Sequence, residues 1–194
     1  MKQKTINLYT FEELTEDQKQ KVLDKYRDFN DDIIPSMAQD EFITLPIFEA
    51  GFLNPTIHYD LSYSQGSGAC FDCDEFDFDL LLKGWQYPHK KLILNIIKTH
   101  YQGYIKLNHY GYHYSHSNTR YFDLEANFNY FYLHIERAIN SAINHIENLR
   151  YELSENLTNR LYEELEFLRS DEQIADSLIA NDYYFNGETL EIEL

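Results

Sequence analysis

The feature that most constrains this chain is a run of apolar residues at helical spacing: Ile135, Ile139, Ala142, Ile146, Leu149, Leu153, Leu157, Leu161, Leu165 and Leu168. The intervals run 4-3-4-3-4 and then 4-4-4-3, a heptad seam with a stutter, and predict helix over residues 129–169. Forty helical residues would extend about 60 Å, against about 40 Å for a compact globule of this chain length. Such a helix either breaks or protrudes and packs on a second copy. Ser154 followed by Glu155 has the look of an N-cap, so a break near residues 154–156 is the expectation. An unbroken helix would instead support a homodimer through the 135–168 seam.

The remainder mixes short strands and helices. Residues 3–9 (QKTINLY) alternate as a first strand, and Thr15 with Gln18 forms a capping box opening a helix to about Phe29. A helix begins near Pro35, and Pro46 is expected to end or kink it before Gly51 turns the chain. Residues 56–64 (TIHYDLSYS) and 69–76 (ACFDCDEF) read as a hairpin joined by QGSG at 65–68. Short helices follow at 78–83 and 89–101, then a second hairpin from 104–114 and 119–126. Ser170 with Gln173 is another capping box, opening a helix to about Ala180, and Asn186-Gly187 predicts a tight terminal hairpin. The pattern is α+β: antiparallel hairpins packed by helices, one long C-terminal helix and a terminal hairpin. At 194 residues, with 7 Gly and 4 Pro, a single domain over 1–194 is expected.

Charge separates the chain into regions. The net charge is −17, and residues 147–194 hold 13 acids against 3 arginines. Residues 80–122 hold no acid, but five Lys, one Arg and five of the eight His. The 17 Tyr and 13 Phe mark a folding sequence with an aromatic core, not an acidic tail. The longest apolar run, residues 92–97 (LILNII), is too short to cross a membrane. The opening residues lack the apolar segment of a secretory leader, so a cytoplasmic protein is expected.

Each candidate site has a competing explanation. A phosphate-cradling loop needs glycines between a strand and a helix. The residues after Gly68 alternate like a strand and carry acids, so QGSG reads as a hairpin tip, with Gln65 at hand for a ligand. Cys70 and Cys73 have metal-knuckle spacing, and His109, His113 and His116 are the nearest suppliers of further ligands. On strands these side chains divide between opposite faces, so no metal is expected. An EF-hand reading from Asp72 fails, because Asp77 stands where Gly is required and Lys83 where Glu is required. What remains is a strip of carboxylates, Asp72, Asp74, Asp77 and Asp79, about 6.7 Å apart if extended. With Glu163, Glu164 and Glu166 it could imitate a run of phosphates. The competing site is the basic aromatic segment 83–120, with Gln65, Lys91, Lys98, His109, Tyr112 and His113 as ligand-binding residues for a nucleotide or RNA. Those cations could equally answer the acids of the same chain. No catalytic triad, metalloprotease helix or nucleotide loop is present, so neither an enzyme nor a cofactor is expected.

Three stretches carry a resemblance: residues 9–22 (YTFEELTEDQKQKV) with 27–30 (RDFN), residues 57–71 (IHYDLSYSQGSGACF), and residues 170–187 (SDEQIADSLIANDYYFNG). In these the chain resembles a family of small acidic phage-encoded accessory proteins of unassigned function, sometimes loosely labelled toxin–antitoxin-related. The resemblance implies a setting, the cytoplasm of an infected bacterium, and a hairpin that does not depend on the cysteines. It brings no active site. A counter-defence protein such as an anti-CRISPR is the leading expectation, binding a host nuclease or effector complex through its acids. Nucleotide or RNA binding through 83–120 is the second, and a structural or assembly protein that oligomerises through the long helix is the third.

Overall fold

The computed structural model describes residues 7–101, 105–109, 114–124 and 133–193. The fold is α+β, with antiparallel pairs of short strands and one long helix. The chain divides into two compact units, one formed by Met1–Pro35 with Glu163–Leu194, the other by Ser36–Tyr162.

In the terminal unit, β1 (Leu8–Thr10) pairs with β8 (Tyr184–Asn186), which pairs in turn with β9 (Ile192–Glu193). The intervening strands belong to the other unit. α1 (Glu16–Lys25) starts at the expected capping box, with the Thr15 hydroxyl accepting from Gln18 N and the Gln18 side chain accepting from Thr15 N. α7 (Asp171–Ala180) starts at Ser170, whose hydroxyl accepts from Gln173 N. Their inner faces close on one core of Phe11, Leu14, Val22, Leu23, Ile174, Leu178 and Phe185. Phe185 meets the rings of Phe11 and Tyr26 edge-on at 6.3 and 6.2 Å. Buried Asn30 donates to the carbonyls of Leu168 (3.2 Å) and Gln173 (3.4 Å), which satisfies an orphan carbonyl at the end of the long helix.

The terminal turn is wider than expected. β8 ends at Asn186 and β9 begins at Ile192, so residues 187–191 form the loop. The Asn186 Oδ1 accepts from Glu188 N and Thr189 N, an Asx turn that competes with the two-residue hairpin. Gly187 is required for another reason: a Cβ there would lie 2.6 Å from a carbon of the Tyr9 ring.

The larger unit begins with α2 (Ile34–Ala38), which crosses the unit boundary, and α3 (Glu41–Glu49), whose N-cap is Asp40. Pro46 does not end the helix. It lies inside α3, where burial of Ile43 and Ile47 on one face holds the turn that the missing N–H weakens. β2 (Phe52–Leu53) pairs with β5 (Glu75–Phe76), β3 (Thr56–Asp60) with β4 (Gly68–Asp72), and β6 (Ile105–His109) with β7 (Arg120–Leu124). Between the latter two pairs lie α4 (Phe78–Leu81) and α5 (Lys90–Ile96), which runs into a π-helical turn, Ile97–Tyr101. Aromatic rings knit the strand pairs together, with Phe52 5.0 Å from Phe71 and 5.8 Å from Phe122.

The long helix α6 (Leu133–Leu168) is unbroken over 36 residues. Ser154 is not a cap. It is fully buried within the helix, and the Thr158 hydroxyl donates to its carbonyl at 2.9 Å while accepting from Ala69 N at 2.8 Å. The buried stripe runs Ala138, Ile139, Ala142, Ile146, Arg150, Ser154, Leu157, Leu161, Leu165 and Leu168. It passes through Arg150 and Ser154, while Leu149 and Leu153 are only half-buried. That is the drift of a 3.6-residue repeat away from a strict heptad. The seam is covered by the chain's own core: Ile139, Ala142, Ile146, Leu157 and Leu161 pack inside the larger unit. The seam expected to support a homodimer is thus largely taken up by the chain's own packing, with Ile135, Leu149 and Leu153 half-buried.

Candidate functional site

The carboxylates at 72–79 do not form an extended strip. β4 stops at Asp72, the chain turns into the two-residue β5, and Asp77 then caps α4. Asp72 is held by Arg120, through Nε and through Nη2 at 3.0 Å, and by His58 Nε2 at 2.9 Å. Asp77 Oδ1 accepts from Asp79 N at 2.9 Å and Leu80 N at 3.3 Å, and Asp79 pairs with Lys98. Among the described residues only Asp74 of the four is exposed without a partner. Three of these acids are therefore committed to folding, and their charge is not presented as a row.

The basic segment is committed in a similar way. Lys90 donates to the carbonyls of Leu82 and Lys83, Lys98 to Asp79, and buried Arg120 to Asp72. Trp85 is a core residue, 4 % exposed, with its indole N–H on Ser141 Oγ at 3.2 Å and Tyr87 stacked on it at 5.0 Å. Lys91 is exposed on α5, and Gln65 is exposed in the hairpin loop. His109 stands opposite Arg120 in the β6–β7 register. Tyr112 and His113 lie outside the described residues.

That hairpin loop covers residues 61–67, longer than the four expected, since Asp60 pairs with Gly68. The hydroxyls of Ser62, Ser64 and Ser67 bond to one another at 2.9–3.1 Å, and Gly66 has φ +97°. A strand follows, not a helix N-terminus, so the arrangement that would cradle phosphate is missing.

Cys70 and Cys73 are both buried free thiols. Among the described residues no three His, Cys, Asp or Glu side chains converge on a metal position. Burial pushes both thiols up, and Cys73, also beside the charges of Asp72 and Asp74, is pushed up to about 12. At pH 8 its thiolate fraction is then about a thousandfold below that of an ordinary cysteine. Folded protein should react with an alkylating reagent about a thousandfold more slowly at Cys73 than urea-unfolded protein does, read by mass spectrometry over time. Rapid modification of the native protein would contradict the buried placement. Because the folded Cys73 thiol holds its proton above the unfolded range, its contribution to stability is present below about pH 8.5 and is lost as pH climbs toward 12.

The acids of the terminal unit are placed differently. The unit holds 18 acids and 7 bases, a net −11, leaving −6 for the larger unit. Every described cation in it is already matched: Lys19 to Glu16, Lys21 to Asp17, Lys25 to Glu191, Arg27 to Asp24 and Asp171, and Arg169 to Asp31. Glu163 and Glu166 on α6, with Glu172 and Asp176 on α7, are exposed and have no partner among the described residues. Glu164 is half-buried on the flank of α6. Glu172 and Asp176 stand four apart, a like-charge spacing that costs a few tenths of a kcal/mol. The α7 pair escaped the sequence reading, although its i,i+4 spacing without an interleaved cation was visible there. No family model, curated protein or solved structure matches the chain.

Proposed function

We propose that this chain is a non-enzymatic binding protein that uses the acidic surface of its terminal unit to occupy the nucleic-acid-binding surface of a basic partner protein. The resemblance to phage accessory proteins suggests the setting, a counter-defence protein of the anti-CRISPR kind acting on a host nuclease or effector. One observation carries the reading. Every described cation of the unit is neutralised within it, yet a surplus including Glu163, Glu166, Glu172 and Asp176 stays in solvent without cations. Such a field steers a basic partner and meets the Lys and Arg that would otherwise meet phosphates.

Capture from nuclease-treated bacterial lysate tests it. The expected result is a nucleic-acid-binding protein that is released by salt and displaced by a short DNA duplex. Recovery of bound nucleotide or RNA with no protein would overturn the reading and move the working surface to Lys91 and its neighbours.

A further inference from the structure

We propose that the outer face of α3, in the larger unit, is a docking surface for a short basic amphipathic helix of a partner protein. This surface does not rest on the acidic terminal unit. α3 reads EFITLPIFE, apolar almost throughout. Ile43 and Ile47 enter the core, while Phe42, Leu45 and Phe48 on the other side are 66, 38 and 48 % exposed. A helix with apolar side chains on both sides belongs where both sides are covered.

Leu45 and Phe48 wall a cleft of about 340 Å³ completed by Gln39, Glu41, Thr44, Asn54 and Pro55. Two of its polar side chains are already engaged: the Thr44 hydroxyl donates to Asp40 O at 3.1 Å, and Gln39 Nε2 to Ile57 O at 3.1 Å. What the cleft offers a partner is therefore the apolar wall of Leu45, Phe48 and Pro55 with the Glu41 carboxylate beside it, which suits an aliphatic side chain flanked by a cation. Phe42 and Phe48 are six residues apart, about 9 Å along the helix, a span matched by anchors at i, i+3 or i+4, and i+7 of a docked helix.

Charge complementarity fixes the partner's sign. Asp40 and Glu41 at one end of α3 and Glu49 at the other are exposed acids. Glu49 stands at the negative end of the helix dipole, with no cation on it among the described residues. Pro46 has no N–H, so the carbonyl of exposed Phe42 lacks its helical donor and is left to accept from another. Arg160 already lies over the Phe42 ring, 3.8 Å from its centroid, so the face accommodates a guanidinium on an aromatic ring.

The test uses a fluorescein-labelled 15-residue peptide of Leu and Lys with helical amphipathic spacing, and a Leu/Glu counterpart. Anisotropy titration of the full chain should show micromolar binding of the Leu/Lys peptide only. Leu45→Ser with Phe48→Ser should weaken it at least tenfold, and Glu41→Lys with Glu49→Lys, wholly on the surface, should do the same. Reversal of Glu163, Glu164 and Glu166 should change it less than twofold. The proposal is overturned if binding ignores both α3 pairs, or if the terminal reversal abolishes it, since the peptide would then be held by general acidity. It is equally overturned if sedimentation shows a dimer that the Leu45/Phe48 pair dissolves, which would make a second copy the occupant.

Discussion

Arg150→Ala should lower the stability of the larger unit by about 3 kcal/mol, the cost of breaking a buried ion pair by removing one partner. The side chain is 2 % exposed on α6. Its Nη1 donates to Ser117 O at 2.7 Å, its Nη2 to Glu147 Oε1 at 2.5 Å and its Nε to Glu147 Oε2 at 3.1 Å. Glu147 Oε2 in turn accepts from Phe122 N at 2.9 Å. One guanidinium thus ties the helix to the turn before β7, and one carboxylate ties it to β7 itself. Alanine takes the Arg150 donor from the Ser117 carbonyl and leaves the half-buried Glu147 carboxylate with only Phe122 N. Urea unfolding followed by fluorescence of Trp85, the only tryptophan and a core residue of this unit, measures the change locally. The midpoint temperature should fall by about 6–12 °C. Glu147→Leu with Arg150→Met should cost less than Arg150→Ala alone, because an apolar pair leaves no charge behind. A loss under about 1 kcal/mol for Arg150→Ala would mean that water or another donor replaces it.

Arg150 also marks the limit of what periodicity reveals. The fold class, the first helix, the last helix and the hairpins were legible, because capping boxes at Thr15 and Ser170 and strand alternation are local signals. The exact face of α6 was not. Apolarity placed Leu149 and Leu153 on the seam, whereas the 3.6-residue repeat turns Arg150 and Ser154 inward and satisfies the arginine through Ser117 and Glu147, distant or unremarkable in sequence. That α3 continues past Pro46 was hidden for a related reason, since the burial that keeps it helical comes from tertiary packing. At the candidate site, acidity was legible but availability was not. Asp72, Asp77 and Asp79 look alike in sequence, yet they serve an arginine, a helix cap and a lysine. Only the folded chain separates them from Glu163 and Glu166.

Replacing Glu163, Glu164 and Glu166 together with lysine should weaken the captured partner about a hundredfold or more, taking about 1 kcal/mol for each reversed contact. The change moves the net charge from −17 to −11 and that of the terminal unit from −11 to −5. It should act chiefly on the association rate and flatten its salt dependence, as loss of steering does. Stability should not fall. All three residues lie in the last two turns of α6, where negative charge opposes the helix dipole and lysine is favoured, most strongly at Glu166. These carboxylates therefore contribute nothing evident to the helix that carries them. Asp74→Lys is the matched control, an exposed acid outside the terminal unit with no partner among the described residues, and it should leave binding within about twofold. Asp72 is unsuitable for this purpose, since its loss would leave Arg120 buried and unpaired. Unchanged affinity in the triple variant would remove the terminal acids from the interface. Lost affinity with lost stability would indict the fold. Lost affinity in a protein that melts at or above the wild-type temperature would assign the binding surface to this face of α6.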